Sequence, residues 1–502
     1  MNTKRLIWIM VTLFGVGLIS SCTDLVTKEK DSRVVVTTGG TTNSSAVDLL
    51  QASYNDLGAF TDQAGIYSMT EHTTDELIPP TRGVDWSDNG VWRSLYQHTW
   101  DPAHSYILSS WNGLNQNAYR TQLILQASDA TPQQKAEAKF LRAFNRWYIM
   151  DFWGQMPDRK TTDGVDFKPI VRTRSEAFDL IETDLTEALA DLPTSSGSLI
   201  NPTATKAAAN AMLARLYLNK AVYKAADAAG PYTFDAADMT KVVGFCDAVT
   251  ADGHALATNY FDNFTAAGSS EILLTSQQGS PQNRVYMTLH YNQNPAGWNG
   301  FATLADFYGK FNNDTNDQRL GRPSPIAVGS PFHGITLGFL VGQQFKDDGT
   351  PLTDTRTSIP LQFTPDVPLS GAATGKGIRV IKYHPGTYGK YVLLRYADVH
   401  LMKAEAIFRG GTSGSTAKAE INALRAVRGA APLGSVVESD ILDERGRELY
   451  WEGVRRTDLI RFGKFNVAWA QKGDNVDAFR VLFTIPQQAL DSNPNLKQNP
   501  GY

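Results

Sequence analysis

Residues 131–157 read Thr-Pro-Gln-Gln-Lys-Ala-Glu-Ala-Lys-Phe-Leu-Arg-Ala-Phe-Asn-Arg-Trp-Tyr-Ile-Met-Asp-Phe-Trp-Gly-Gln-Met-Pro. Thr131 can cap the free amides of a helix start and Pro132 fits its first turn. Ala136, Phe140, Phe144, Trp147 and Tyr148 then fall on one apolar stripe, which Gly154 and Pro157 end. A helix over Gln133–Trp153 is predicted.

The same period recurs along the chain. Val47, Leu50, Tyr54 and Leu57 share a face, with a turn near Gly58. Amphipathic helices follow over Ser175–Leu189 and Thr205–Ala221, the latter with Ala207, Ala208, Ala211 and Ala214 for close helix approach. Further on, helices are expected from Val392 to Phe408, from Thr416 to Arg428 with Gly429 at the cap, and from Ser439 or Asp440 to about Phe462. Ala136 with Phe140 and Ala404 with Phe408 match the Ala-x-x-x-aromatic element of tetratricopeptide repeats, without a regular 34-residue period. The expected fold is mainly α: divergent tetratricopeptide-like helix pairs forming an α-α superhelix, interrupted by a loop-rich insert with short β-strands.

That insert is visible in composition. Residues 266–390 hold 16 Gly and 10 Pro, about one position in five, and only short strands such as Glu271–Gln277 and Gly377–Tyr383 are expected there. Hence the division: 1–21 signal peptide, 22–45 lipidated N-terminus and tether, 46–265 N-terminal helical region with a Trp-rich segment at 72–111, 266–390 ligand-binding insert, and 391–502 C-terminal helical region.

Lys4 and Arg5 precede an uncharged run from Leu6 to Ile19 that closes on Ser20, Ser21 and Cys22, the order of a secretory signal. Fourteen apolar residues fall short of the roughly 20 that span a bilayer. Ile19-Ser20-Ser21-Cys22 resembles a bacterial lipobox, which makes Cys22 the lipid anchor. Only Cys246 then remains, so no intramolecular disulfide is expected in an exported chain. With 47 Lys+Arg against 51 Asp+Glu, the total charge points to no nucleic-acid partner.

Near the C-terminus, Glu444-Arg445-Gly-Arg447-Glu448-Leu449-Tyr-Trp-Glu452-Gly453-Val-Arg455-Arg-Thr-Asp458-Leu459-Ile-Arg461 resembles the signature of the SusD/RagB family of outer-membrane nutrient-binding lipoproteins. Phe140–Phe144 with Asp151–Pro157, Leu394–Asp398 with Lys403–Ala406, and Ile485-Pro-Gln-Gln with Gln498–Tyr502 match the same family in order. The resemblance implies a helical protein with a ligand-binding insert. It implies a non-enzymatic role: capturing oligosaccharides at the cell surface and passing them to a SusC-like TonB-dependent outer-membrane transporter. Peptide capture, as in RagB-like members, and a pure docking scaffold are the alternatives.

Glu444, Glu448 and Glu452, four apart among arginines, invite a glycosidase reading. Ion pairs such as Glu452 with Arg456 explain them better, because clustered guanidinium groups keep carboxylates ionised and spoil a general acid. Four of the ten tryptophans, Trp86, Trp92, Trp100 and Trp111, lie among turn and polar residues, where aromatic planes beside Asp, Asn and Arg suit sugar rings or else fill core under loops. A second candidate is Tyr291-Asn-Gln-Asn-Pro-Ala-Gly-Trp298-Asn-Gly-Phe301. By resemblance to the family's starch-binding member, Trp298 and Trp100 sit near stacking aromatics. The ligand-binding candidates are therefore Trp298 and Trp100, with Tyr291, Asn294, Asp75, Arg82 and Trp86. No metal or cofactor is expected: the histidines, His98 and His104 included, show no ligand spacing, and Asn312–Asp317 reads as a solvated loop rather than a calcium loop.

Overall fold

Why residues 131–153 are helical is seen at their first turn. Thr131 Oγ1 accepts the Gln134 amide at 3.2 Å and Gln134 Oε1 accepts the Thr131 amide at 2.9 Å, a reciprocal capping box. The structure is a computed structural model describing residues 45–502 except 165, 196–197, 313 and 474–476. The signal segment 1–21, Cys22 and most of the tether lie outside the described residues.

The first part of the chain runs α1 (Ala46–Asn55), α2 (Ile66–Glu71), α3 (Val91–Tyr96), α4 (Ser105–Gln126), α5 (Pro132–Trp153), strands β1 (Gln155–Asp158) and β2 (Ile170–Thr173), then α6 (Arg174–Ala188), α7 (Lys206–Leu218) and α8 (Ala236–Ala251). The insert begins at β3 (Ile272–Thr275) and contains a small sheet of β4 (Gly321–Arg322), β5 (Leu337–Leu340) and β6 (Arg379–Ile381), with β5 central. It closes at β7 (Val392–Arg395), and α9 (Tyr396–Phe408), α10 (Ala417–Val427), α11 (Glu438–Leu449), α12 (Arg455–Arg461) and the short α13 (Gln487–Ser492) follow.

Successive helices pack on one another from α4 through α8, α8 packs on α9, and α9 on α10. The insert therefore leaves and rejoins the stack between α8 and α9. Its two ends meet, because β3 and β7 pair antiparallel with Leu274 opposite Leu394. The expected mainly helical fold with a loop-rich, strand-poor insert is the observed one. On α5, Phe140, Phe144, Tyr148 and Phe152 meet ring to ring at 6.1, 5.4 and 5.5 Å along one edge. In α7 the alanines 207, 208, 209, 211 and 214 are all buried, so its neighbours approach its backbone closely.

Several local expectations are corrected. Val47 is 58% exposed while Leu50, Tyr54 and Leu57 are buried, so the α1 stripe runs through Ala46, Leu49, Leu50 and Tyr54. Residues 392–395 form a strand rather than the first turn of a helix, because β3 supplies them with a partner. The sequence between α6 and α9 hid α8, and that between α3 and α5 hid α4, whose polar Asn and Gln positions blur the period.

The C-terminal signature is two helices, not one. At the break, Trp451 has φ +59° and Gly453 φ +77°. The Trp451 amide donates to Glu76 Oε2 at 2.9 Å and the Gly453 amide donates to Glu71 Oε1, so buried carboxylates beside α2 hold the turn open. The break aims Arg455 and Arg456 at separate partners, Asp75 (2.7 Å) and Asp151 (2.6 Å). The expected Glu452–Arg456 pair is thereby replaced, and Glu452 binds Lys382 and Arg395 instead.

The signature glutamates sit in a buried ionic lattice. Glu448 accepts from Arg395 Nη1 at 2.7 Å, Arg428 Nη2 at 2.8 Å and Arg319 Nη1 at 3.3 Å. Glu271 joins Arg395 and Arg428 at 2.9 and 2.7 Å, and Glu444 joins Arg319 and Arg425 at 2.7 Å each. Asp317, expected in a solvated loop, is 3% exposed and paired to Arg319 at 2.7 Å. Burial alone would raise the Glu444 pKa, but Arg319, Arg447 and Arg425 outweigh it and bring it down to about 2. Glu448 is held lower still by Arg428 and Arg395. Glu71 is the opposite case: burial pushes it up to about 7 against the hydrogen bond from Gly453.

Removing one member of such a lattice strands its partners. Glu448→Ala is expected to cost about 3–5 kcal/mol of stability in urea unfolding. The pH limbs have opposite signs. Glu444 contributes stability above pH 4.5 that is lost as pH falls toward 2, whereas Glu71 contributes below pH 4.5 and loses it as pH rises to about 7. Glu71→Gln is expected to flatten the decline between pH 4.5 and 7 and to exceed the wild type in stability at pH 8, measured by urea unfolding at each pH.

Candidate functional site

Two stretches of irregular chain are laced together above the helices. Ile78 and Ala302 bridge through reciprocal amide-to-carbonyl bonds of 2.8 and 3.1 Å, joining the segment after α2 to the insert. Arg82, 6% exposed, donates to the carbonyls of Asn299 (2.6 Å), Ala373 (2.5 Å) and Lys376 (2.8 Å). Arg379, fully buried, donates to Asn299 Oδ1 at 2.7 Å and to Thr374 O at 3.0 Å. Neither arginine has a carboxylate partner among the described residues; burial brings the Arg82 pKa down to about 10. Backbone dipoles from three loops stabilise these cations, and the cations fix the loops.

The fixed loops border an open cleft of about 820 Å³. Trp298 stands at its edge, 49% exposed, with its ring stacked on Tyr286 at 5.7 Å and 27°. Trp86 is half-buried. Its indole N–H donates to Trp298 O at 2.9 Å, and its ring rests on Phe301 at 5.2 Å. That indole bond and ring contact hold Trp86 at φ +64°, a conformation that costs a bulky residue roughly 1–3 kcal/mol. Tyr291 and Arg356 also line the cleft: the Tyr291 hydroxyl donates to Asp354 Oδ1 at 2.8 Å, and the Arg356 guanidinium lies 4.1 Å over the Tyr291 ring. Burial would raise Asp354, but hydrogen bonds from Thr374, the Arg356 amide and Tyr291 bring it to about 2. Burial and that carboxylate push Tyr291 up to about 12, so it meets a ligand as a neutral phenol.

Two glycines are required here by close approach. A Cβ on Gly297 would lie 2.1 Å from Leu289 O, and one on Gly300 would lie 2.4 Å from Trp86 Cζ2.

Of the sequence candidates, Trp298, Tyr291, Trp86 and Arg82 line this one cleft. The other three do not. Trp100 is 2% exposed, with its N–H on the Tyr502 hydroxyl at 2.6 Å and its ring 4.8 Å from Phe483, so it is core. Asp75 is consumed by Arg455, which donates to both its oxygens at 2.7 and 2.8 Å. Asn294 donates to Asp347 Oδ2 at 2.6 Å outside the cleft lining. Trp111 is likewise core, and Trp92, though buried, borders the cleft beneath the half-buried Trp86 ring, which it meets at 6.0 Å. Arg356, Tyr286 and Arg379 were missed: each comes from turn-rich sequence with no period, and only their partners across the insert reveal them. Glu444 and Glu448 are fully buried among arginines. Among the described residues no group of His, Cys, Asp or Glu is placed to hold a metal, and no helix is long and apolar enough to cross a membrane.

A stack of antiparallel helix pairs interrupted by an irregular insert is the architecture of SusD-like proteins. A laminarin-binding SusD-like protein matches with a TM-score of 0.68 at 21% identity, over 91% of this chain and 99% of that one. Surface glycan-binding protein A from Bacteroides uniformis matches with a TM-score of 0.67 at 18% identity, over 90% and 98%. A family model described as the SusD family matches residues 362–502, and another described as starch-binding, associating with outer membrane, matches residues 43–218. In sequence, the starch-binding protein SusD of Bacteroides thetaiotaomicron is 26% identical over 88% of this chain and 86% of its own. The SusD-like protein P2 of Formosa agariphila is 25% identical over 83% and 81%. The chain is thus similar to SusD-family proteins along most of its length.

Since the Trp86 ring occupies the space where a Gly300 side chain would go, Gly300→Ala is expected to displace it. The near-ultraviolet circular dichroism of the tryptophans should change, with about 1–3 kcal/mol of stability lost in urea.

Proposed function

We propose that the protein is a non-enzymatic, cell-surface glycan-binding lipoprotein that captures oligosaccharides in the Trp298 cleft. It delivers them to a SusC-like TonB-dependent transporter in the outer membrane, to which Cys22 tethers it. The observation that carries the binding reading is the half-exposed Trp298 plane, pre-stacked on Tyr286, in an open cleft that Tyr291 and Arg356 also line. A sugar ring offers C–H groups on its face and hydroxyls on its edge. The indole takes the face, and Arg356 and Thr374 offer a donor and an acceptor to the edge. Because the platform is held before the ligand arrives, little ordering opposes binding.

Supporting this reading, the relative from Bacteroides thetaiotaomicron is named for starch binding and a similar fold is named for laminarin binding. The matched family model associates such proteins with the outer membrane. The signature carboxylates lie in the ionic lattice, away from the cleft, which favours binding without hydrolysis.

Calorimetric titration of the soluble body against starch, fructan, xylan, mannan and host-type oligosaccharides is expected to find one binding class. Trp298→Ala should weaken it by about 1.5–3 kcal/mol, roughly ten- to a hundredfold, with the fold retained. Absence of binding across the panel, with peptides binding instead, would favour the RagB-like reading.

A further inference from the structure

Arg356 differs from the other arginines of the cleft. Arg82 and Arg379 are buried and spent on carbonyls, whereas Arg356 is exposed, and its guanidinium takes no hydrogen bond or ion pair among the described residues. It is held in place all the same. It sits in the turn between the paired strands Thr353–Asp354 and Ile359–Pro360. Its neighbour Thr355 is clamped by Asn292: the Thr355 amide donates to Asn292 Oδ1 at 3.1 Å, and Asn292 Nδ2 donates to Thr355 Oγ1 at 2.9 Å. The Arg356 amide itself donates to Asp354 Oδ1 at 2.9 Å. From this tied turn the guanidinium reaches over the Tyr291 ring. The N–H donors of a guanidinium lie in its plane, and a ring against its face satisfies none of them.

The surroundings of Tyr291 carry an excess of positive charge. Asp354 is already spent, accepting from the Tyr291 hydroxyl, from Thr374 Oγ1 at 2.6 Å and from the Arg356 amide. Three guanidinium groups act at the same place, and His290, whose ring meets Tyr291 at 3.8 Å, registers them. Burial, together with Arg379, Arg82 and Arg356, outweighs Asp354 and brings the His290 pKa down to about 4. At neutral pH this histidine adds no charge, which leaves Arg82, Arg356 and Arg379 against Asp354. Low-dielectric walls carry such an excess to whatever enters the cleft. Asp85 and Asp88 also line it, next to Trp86 in the chain, and neither pairs with an arginine of the cleft among the described residues. Asp88 accepts the Trp92 indole N–H at 2.7 Å, and both carboxylates can accept from sugar hydroxyls.

We propose that the cleft selects an acidic oligosaccharide, in which the carboxylate or sulfate group of one sugar takes the free donors of Arg356 while a sugar ring stacks on Trp298. This rests on the glycan reading of the cleft and narrows it to a charge class. The guanidinium fork meets two oxygens of such an anion at once, in charge-assisted hydrogen bonds. A neutral sugar offers the same fork hydroxyl oxygens without an opposing charge. Arg82 and Arg379 add attraction without contact.

The test compares each acid with its own uncharged form by calorimetric titration of the soluble body. The probes are oligogalacturonate and oligomannuronate against their methyl esters, and κ-carrageenan oligosaccharides against the desulfated chains. In the wild type one acid is expected to bind at least about tenfold more tightly than its uncharged form, and the pair that shows the difference tells carboxylate from sulfate. Arg356→Gln, on an exposed turn, should remove the difference and leave the uncharged form within about twofold of the wild type. Arg356→Lys, which keeps the charge and loses the fork, should restore part of it. No difference in any pair, or equal loss of acid and uncharged form in Arg356→Gln, overturns the acidic reading. If Trp298→Ala then still loses binding of a neutral oligosaccharide, the cleft keeps its glycan role. Absence of binding by the wild type to these series and to the neutral panel overturns both readings.

Discussion

Glu448 is the point at which distant parts of the chain are tied. Its two oxygens meet guanidinium groups from the insert (Arg319), from β7 (Arg395) and from the end of α10 (Arg428), all fully or almost fully buried. Burying ions is costly, and such a lattice holds only when every member is paired, so its contribution lies more in geometry than in net stability. Any other packing of these segments leaves a charge stranded. Arg395 continues the chain of pairs to Glu452 and Glu271, and Glu444 extends it through Arg425. The position of the insert over the helices follows from it.

The cleft uses the same type of side chain with a different partner. Arg82 and Arg379 find backbone carbonyls where Arg319, Arg395 and Arg428 find carboxylates. Carbonyl partners spread the attraction over a whole loop, so irregular chain is held as firmly as a strand pair would hold it. With Gly297 and Gly300 permitting contact at backbone distance, Trp298 is displayed rather than buried.

What the sequence revealed follows the range of the interactions involved. The helices over 132–153, 174–188 and 417–427 are local matters of period and cap, and their ends are where Thr131, Thr173 and Thr416 place them. The break at Trp451 is set by Glu71 and Glu76, nearly four hundred residues away in sequence, and nothing nearby signals it. Trp298 could be picked out because a large ring between glycines is unusual, and Trp86 because it lies among turn residues. Trp100 looked the same by that criterion, and only Tyr502 and Phe483, brought in from the chain terminus, decide that it is core. Arg356 and its seat on Tyr291 depend on segments meeting across the fold, which composition and spacing do not record.

The pairing of β3 with β7 has an evolutionary consequence. Because the insert departs and returns at adjacent strands about 5 Å apart, its length and content can drift while the helical stack before and after it keeps its register. Recombination or engineering can exchange this module between relatives as a cassette. Any cassette has to bring along one arginine in the place of Arg319, since without it Glu444 and Glu448 in the recipient lose a buried counter-ion. The rest of the insert is thus free to diversify, provided it keeps Arg319 for Glu444 and Glu448 and Lys382 for Glu452.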